Sequence, residues 1–179
     1  SEKRNILSMY QKYINIVVQW IYMVFSPTFF EHIDRSSAIF FNSLRNNTLD
    51  SVALFITDLG GPGSVFLYCL VLVMCMWLWQ KYTHIIQFIL TMSLTAFVAV
   101  AAKELTRVPR PPYPVYQEVG YSFASAHSLI VTVFFLLIFF SYKEYIQSKL
   151  LKFVFLLATV CVIASVSITR VYLGVHYLS

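Results

Sequence analysis

The sequence carries little charge. Asp, Glu, Lys and Arg together make up 12% of its 179 residues, about half the share usual in a water-soluble domain. That is too little to cover the surface of a soluble enzyme, and it is the opposite of the composition that keeps a chain disordered. Cysteine is scarce too. Cys69, Cys75 and Cys161 are an odd number, lie in apolar runs and lack metal-ligand spacing, so they read as packing residues and exclude a disulfide scaffold or zinc site. Acid is the shorter sign, with eight Asp and Glu against 13 Lys and Arg and a formal charge of +5. The basic residues stand singly between apolar blocks, so no nucleic-acid partner is expected. The charge points to membrane orientation or to an anionic ligand.

Apolar residues are abundant, at 59% with a mean hydropathy of +0.71. They gather in blocks approaching the roughly 20 residues that a bilayer crossing needs. Five spans are expected: Tyr13 to Phe30, interrupted by Asn15 and Gln19, then Ser64 to Trp79, Ile85 to Ala102, Ser128 to Ser141 and Leu151 to Ile168. Ser1-Glu2-Lys3-Arg4 is too polar, and the apolar stretch after it too long, for a cleavable signal peptide. Between the first two spans, Glu31 to Gly63 is too polar to cross. There Val52, Phe55, Ile56 and Leu59 follow i, i+3, i+4, i+7 spacing until Gly60-Gly61-Pro62-Gly63 stops the helix. This pattern suits an amphipathic helix on the membrane surface, or one arm of a helical hairpin. The expected fold is an all-α, multi-pass transmembrane helical bundle, one membrane-embedded domain over residues 1–179.

Alternating the spans sorts the charges. Lys3, Arg4, Lys12, Lys81, Lys143, Lys149 and Lys152 fall on one face, and Arg35, Arg45, Lys103, Arg107, Arg110 and Arg170 on the other. The first face is assigned to the cytoplasm by the positive-inside rule, and the loop after span three to the outside. Whichever face is which, the end of span three, the start of span four and the end of span five share one surface. Those places hold Lys103, Arg107 and Arg110, then Ser125 and His127, then Arg170 and His176. Cations beside hydrocarbon are costly, so a cluster of them suggests a shared anion. Phosphate suits the planar fork of Arg and the compact charge of Lys. Two imidazoles beside it suggest phosphoryl transfer, one attacking phosphorus and the other protonating the leaving oxygen. The cations can offset the developing charge, so no metal is required. His32 and His84 read as structural.

These residues carry a resemblance. Lys103-Glu104-Leu105-Thr106-Arg107-Val108-Pro109-Arg110-Pro111 resembles K-x-x-x-x-x-x-R-P, the first signature of the type-2 phosphatidic acid phosphatase superfamily. Ala124-Ser125-Ala126-His127 resembles its P-S-G-H, and Thr169-Arg170 with His176 resembles S-R-x-x-x-x-x-H-x-x-x-D. The Asp58-Leu59-Gly60 region is similar to the family layout more loosely. The resemblance implies that Lys103, Arg110 and Arg170 bind phosphate oxygens, that Ser125 donates a further hydrogen bond, that His127 is the general acid and that His176 is the nucleophile. Arg107 matches no signature position and is left as a secondary headgroup contact. Ala124 replaces Pro, and Ala126 replaces Gly, which matters if that backbone must adopt positive φ. The signature's Asp would fall immediately after Ser179 and a sixth span would follow, so the expectation is five spans of six and a longer natural chain.

The resemblance implies a metal-independent, cofactor-free membrane lipid phosphatase that works through a phospho-histidine. Similar members act on phosphatidylglycerol phosphate, undecaprenyl diphosphate, phosphatidic acid or lipid A phosphates, and the first two are favoured. The expected location is a bacterial inner membrane with the site on the periplasmic face. Pro112 to Phe123 either shapes the entrance or merely connects. Alternatives are a lipid phosphotransferase, a non-catalytic binder of anionic lipid and, last, an anion channel or transporter. The last requires charge deep in the spans, and none lies between Ile85 and Ala102 or between Leu129 and Tyr142.

Overall fold

A computed structural model of the chain describes residues 27–178. The expected first span, Tyr13 to Phe30, therefore lies outside the described residues except for its last four. Every regular element among the described residues is helical: α1 (Pro27–Ser43), α2 (Asn47–Leu59), α3 (Pro62–Leu78), α4 (Tyr82–Thr106), α5 (Ala126–Tyr142), a 3-10 turn (Lys143–Tyr145) and α6 (Lys149–Tyr172).

The four remaining spans all form, and α4, α5 and α6 run past the hydropathy boundary at both ends. Hydropathy falls at the first polar side chain, whereas a helix continues until its backbone hydrogen bonds end. α4 carries Lys103 on its last turn and closes where Arg107 takes the left-handed conformation, φ 49°. α6 carries Arg170 on its last turn. Asn46 caps α2, Ser125 caps α5 and Ser148 caps α6, each accepting from a backbone N–H three residues on.

α1 was not expected from the sequence, because Glu31, His32, Asp34 and Arg35 break its apolar pattern. It packs on α6, where Phe41 meets Tyr172 edge-on, and the Asp34 carboxylate accepts from the Leu178 amide at 3.1 Å. The helix expected at Val52 to Leu59 does form. Its large residues Val52, Phe55 and Leu59 are exposed, while small Ala53, Thr57 and Gly60 lie buried. Small residues let helix backbones approach closely. The Thr57 and Thr169 hydroxyls meet at 3.0 Å, and a Cβ on Gly60 would lie 2.6 Å from Val166 Cγ1. α2 is thus docked on α6, and Asn47–Leu78 forms one 32-residue stretch apolar enough to cross a bilayer.

The core between α3, α4, α5 and α6 is built from Val65, Phe88, Val131, Phe134 and Val166. A smaller cluster of Ala53, Tyr172, Leu173 and Val175 lies under the end of α6. In none of the four candidate spans is more than 22% of the apolar window buried inside the protein. Phe66, Phe97, Phe153 and many others face outward, as expected of a bundle solvated by lipid tails. The three cysteines are free.

Candidate active site

The site lies where α4 and α6 end and α5 begins. After Tyr172 the chain turns sharply, and the amides of Val175 and His176 both donate to the Arg170 carbonyl, at 3.2 and 3.3 Å. The turn depends on Gly174, whose φ is +69° and whose missing Cβ would meet Arg45 Nη2 at 2.5 Å. His176 is thereby folded back beside Arg170, and both are buried.

The imidazole of His176 is fixed from two sides. Nδ1 makes a short hydrogen bond to the Ser122 carbonyl, and Nε2 faces Arg110 Nη1 at 3.5 Å. A carbonyl only accepts and a guanidinium only donates, so Nδ1 carries the proton and the Nε2 lone pair points into the cationic cluster. Burial, with Arg170 and Arg110 close by, pushes the His176 pKa down to about 3, against smaller upward effects of Glu118 and Ser122. At neutral pH the ring is therefore uncharged.

Arg110 and Arg170 converge on one acid. Arg170 Nη2 pairs closely with the Glu118 carboxylate, and Arg110 Nη1 approaches the same oxygen at 3.4 Å. Arg170 Nη1 also donates to the Tyr116 hydroxyl at 2.5 Å, while its buried Nε has no partner. Arg110 is held further by the carbonyls of Val175 (2.7 Å), Gly120 (2.9 Å) and Val119 (3.1 Å). Burial would raise the Glu118 pKa, but Arg170 and then Arg110 outweigh it and hold the carboxyl below the usual carboxylate range. Lys103 lies within electrostatic range of Arg110, Glu118 and Arg170. His127, on the first turn of α5, is within range of Arg170, Glu118, Lys103 and Asp58. Ser125, Arg170 and His176 line one cavity of about 460 Å³.

All six residues singled out in the sequence are thus brought to one end of the bundle. A profile of the PAP2 superfamily matches residues 84–179, which include every one of them. The chain belongs to the PAP2 superfamily. Its fold is that of a crystal structure described as the first transmembrane PAP2 type phosphatidylglycerolphosphate phosphatase from Bacillus subtilis. That similarity has a TM-score of 0.78 at 20% identity, over 96% of this chain and 84% of the other. No curated protein matches the sequence significantly.

In this PAP2 chain the loop after α4 does more than connect. It supplies Tyr116 and Glu118 to Arg170 and Ser122 to His176, and the Val115 amide ties it to the Leu173 carbonyl at 2.9 Å. Glu118 is not among the residues singled out in the sequence. A single acid between two cationic signatures was the signal that could have found it. Arg107 turns its Nε to the Glu104 carbonyl at 3.2 Å, capping its own helix. Ala126 sits in the first turn of α5 and is not among the residues with positive φ, so the strain anticipated for a side chain there does not arise. His32 and His84 are exposed, outside the cluster. Among the described residues no group of three His, Cys, Asp or Glu is disposed to hold a metal ion.

Proposed function

We propose that the chain is a lipid phosphatase that removes a phosphoryl group from an amphiphilic lipid through a phospho-histidine at His176, without a metal. The observation that carries this reading is the uncharged His176 ring, tethered through Nδ1, with its Nε2 lone pair facing Arg110 and with Arg170 close by.

In the first step Lys103, Arg110, Arg170 and Ser125 hold the phosphoryl oxygens, and the unpaired Nε–H of Arg170 is free to donate to one of them. Glu118 occupies the arginines when no phosphate is bound, so it must swing aside as the substrate arrives. Nε2 of His176 forms a bond to phosphorus as the bond to the lipid oxygen breaks, and His127 gives that oxygen a proton. In the second step His127 takes a proton from water, whose oxygen attacks phosphorus and releases His176 and inorganic phosphate. The net reaction consumes one water and yields inorganic phosphate with a lipid alcohol from a phosphomonoester, or with a lipid monophosphate from a diphosphate. Fixed cations supply the charge stabilisation that a metal gives elsewhere.

The charge distribution along the sequence supports a bacterial inner-membrane protein with its site on the periplasmic side, and undecaprenyl diphosphate and phosphatidylglycerol phosphate are the favoured substrates. The test is phosphate release from these lipids in detergent with a chelator present. Activity is expected to survive the chelator, to vanish in His176→Ala and to fall about 100-fold or more in His127→Ala. Loss of activity on chelation would sink the metal-free mechanism, and full activity in His176→Ala would sink the nucleophile assignment.

A further inference from the structure

The cavity that holds Ser125, Arg170 and His176 continues along the groove between α5 and α6, where Ser128 and Thr132 of α5 and Ser167 of α6 line it. Hydroxyls on helices in hydrocarbon ordinarily return to the carbonyl one turn back. Thr91, Thr95 and Thr106 on α4 and Ser165 on α6 do so, at 2.7 to 2.8 Å. Thr132 and Ser167 do not: among the described residues neither hydroxyl has a hydrogen-bond partner, although both side chains are half-buried in the groove wall. Ser128 instead gives its hydroxyl to Ser125 Oγ at 3.2 Å, so the series is continuous with the phosphate end.

The register gives these donors a depth. At the rise of an α-helix, Ser167 lies about 4.5 Å from Arg170 along α6, and Thr132 about 10 Å from Ser125 along α5. A lipid whose phosphoryl group sits between Arg170 and His176 must carry its next atoms past both. In a glycerophospholipid those atoms include glycerol and ester oxygens, which accept hydrogen bonds. In a polyprenyl phosphate or diphosphate the chain beyond the phosphate is hydrocarbon, and it would leave both hydroxyls unpaired in a low-dielectric groove.

We propose that Thr132 and Ser167 are specificity-determining residues that donate to the glycerol and ester oxygens of the substrate, so that the enzyme selects glycerophospholipid phosphates over polyprenyl ones. The inference rests on the phosphatase reading above and narrows its substrate to one class. Sites built to hydrogen-bond a substrate discriminate strongly against an analogue that lacks the partner.

The experiment compares kcat/KM for dioleoyl phosphatidic acid and for undecaprenyl diphosphate in the same detergent, using the full chain and a Thr132→Val, Ser167→Ala double variant. Both replacements keep side-chain volume nearly constant. The parent is expected to prefer phosphatidic acid, and the double variant to lose about tenfold on it, with undecaprenyl diphosphate unchanged or faster. A loss shared equally by both substrates, which is what misfolding would give, overturns the inference when the thermal midpoint of the variant matches the parent's. Where the midpoint falls, the single Ser167→Ala variant is read by the same ratio. An unchanged ratio, or a parent that prefers undecaprenyl diphosphate, overturns it as well. Release from neither lipid by the parent would instead remove the phosphatase reading on which it stands.

Discussion

Glu118 offsets the charge of Arg170 and Arg110 at the polar end of the bundle. Arg170 is fully buried, and a buried guanidinium without an acid beside it carries a large desolvation cost. With Arg110 and Arg170 as the proposed phosphate ligands, the same contact competes with the substrate. Glu118→Gln is therefore expected to lower the thermal midpoint, by the equivalent of about 1 to 3 kcal/mol, and also to lower KM. Added inorganic phosphate should restore the midpoint more in the variant than in the parent. Equal restoration in both would show that the carboxylate and phosphate do not share a site. His176 gives a second effect at this scale. Its folded pKa of about 3 lies below the ordinary 6.5, so the unfolded chain takes up a proton that the folded chain refuses. The stability tied to the neutral ring is complete above about pH 6.5 and is lost as pH falls toward 3. The thermal midpoint of the parent should fall more between pH 7 and pH 4 than that of His176→Asn, and parallel curves would contradict this account.

Among the elements, two glycines bear the most weight. Gly174 turns the chain after α6 in a backbone region that costs other residues about 1 to 2 kcal/mol, and a methyl group there also meets Arg45. Gly174→Ala should therefore displace His176, lowering kcat by tenfold or more with a smaller effect on stability than on activity. Gly60 sits where α2 gives way to α3 against Val166 and Val131, so Gly60→Ala is expected to destabilise by about 1 to 3 kcal/mol through overpacking. Thermal unfolding in detergent reads both stability effects, and phosphate release reads kcat. Much at this scale was legible beforehand. The spans could be located because long apolar runs have few alternatives in a chain so poor in charge, and Lys103, Arg110, Ser125, His127, Arg170 and His176 could be grouped because alternating spans force their ends to one surface. α1 was hidden by its own polar residues, which make sense only once Asp34 is seen capping the segment after His176. Glu118 and Ser122 were hidden because their roles depend on how an irregular loop folds back, and no periodicity encodes that.

At the scale of the whole molecule, a thinly buried, lipid-facing bundle holds one well-packed polar end. The bundle's outward apolar surface fixes the protein at the bilayer, and the close contacts of α2, α5 and α6 hold the cations and imidazoles in register against their mutual repulsion. The central claim is that His176 becomes covalently phosphorylated during turnover. It is tested most directly by quenching the full chain with alkali during turnover of a lipid phosphate and locating the phosphoryl group by mass spectrometry of the peptide that contains residue 176. One phosphoryl group is expected on His176, stable to alkali, lost in acid and accumulating in His127→Ala if that substitution slows hydrolysis more than transfer. Turnover proceeding with the phosphoryl group on another residue, or an unmodified His176 under conditions that preserve phospho-histidine, would contradict it.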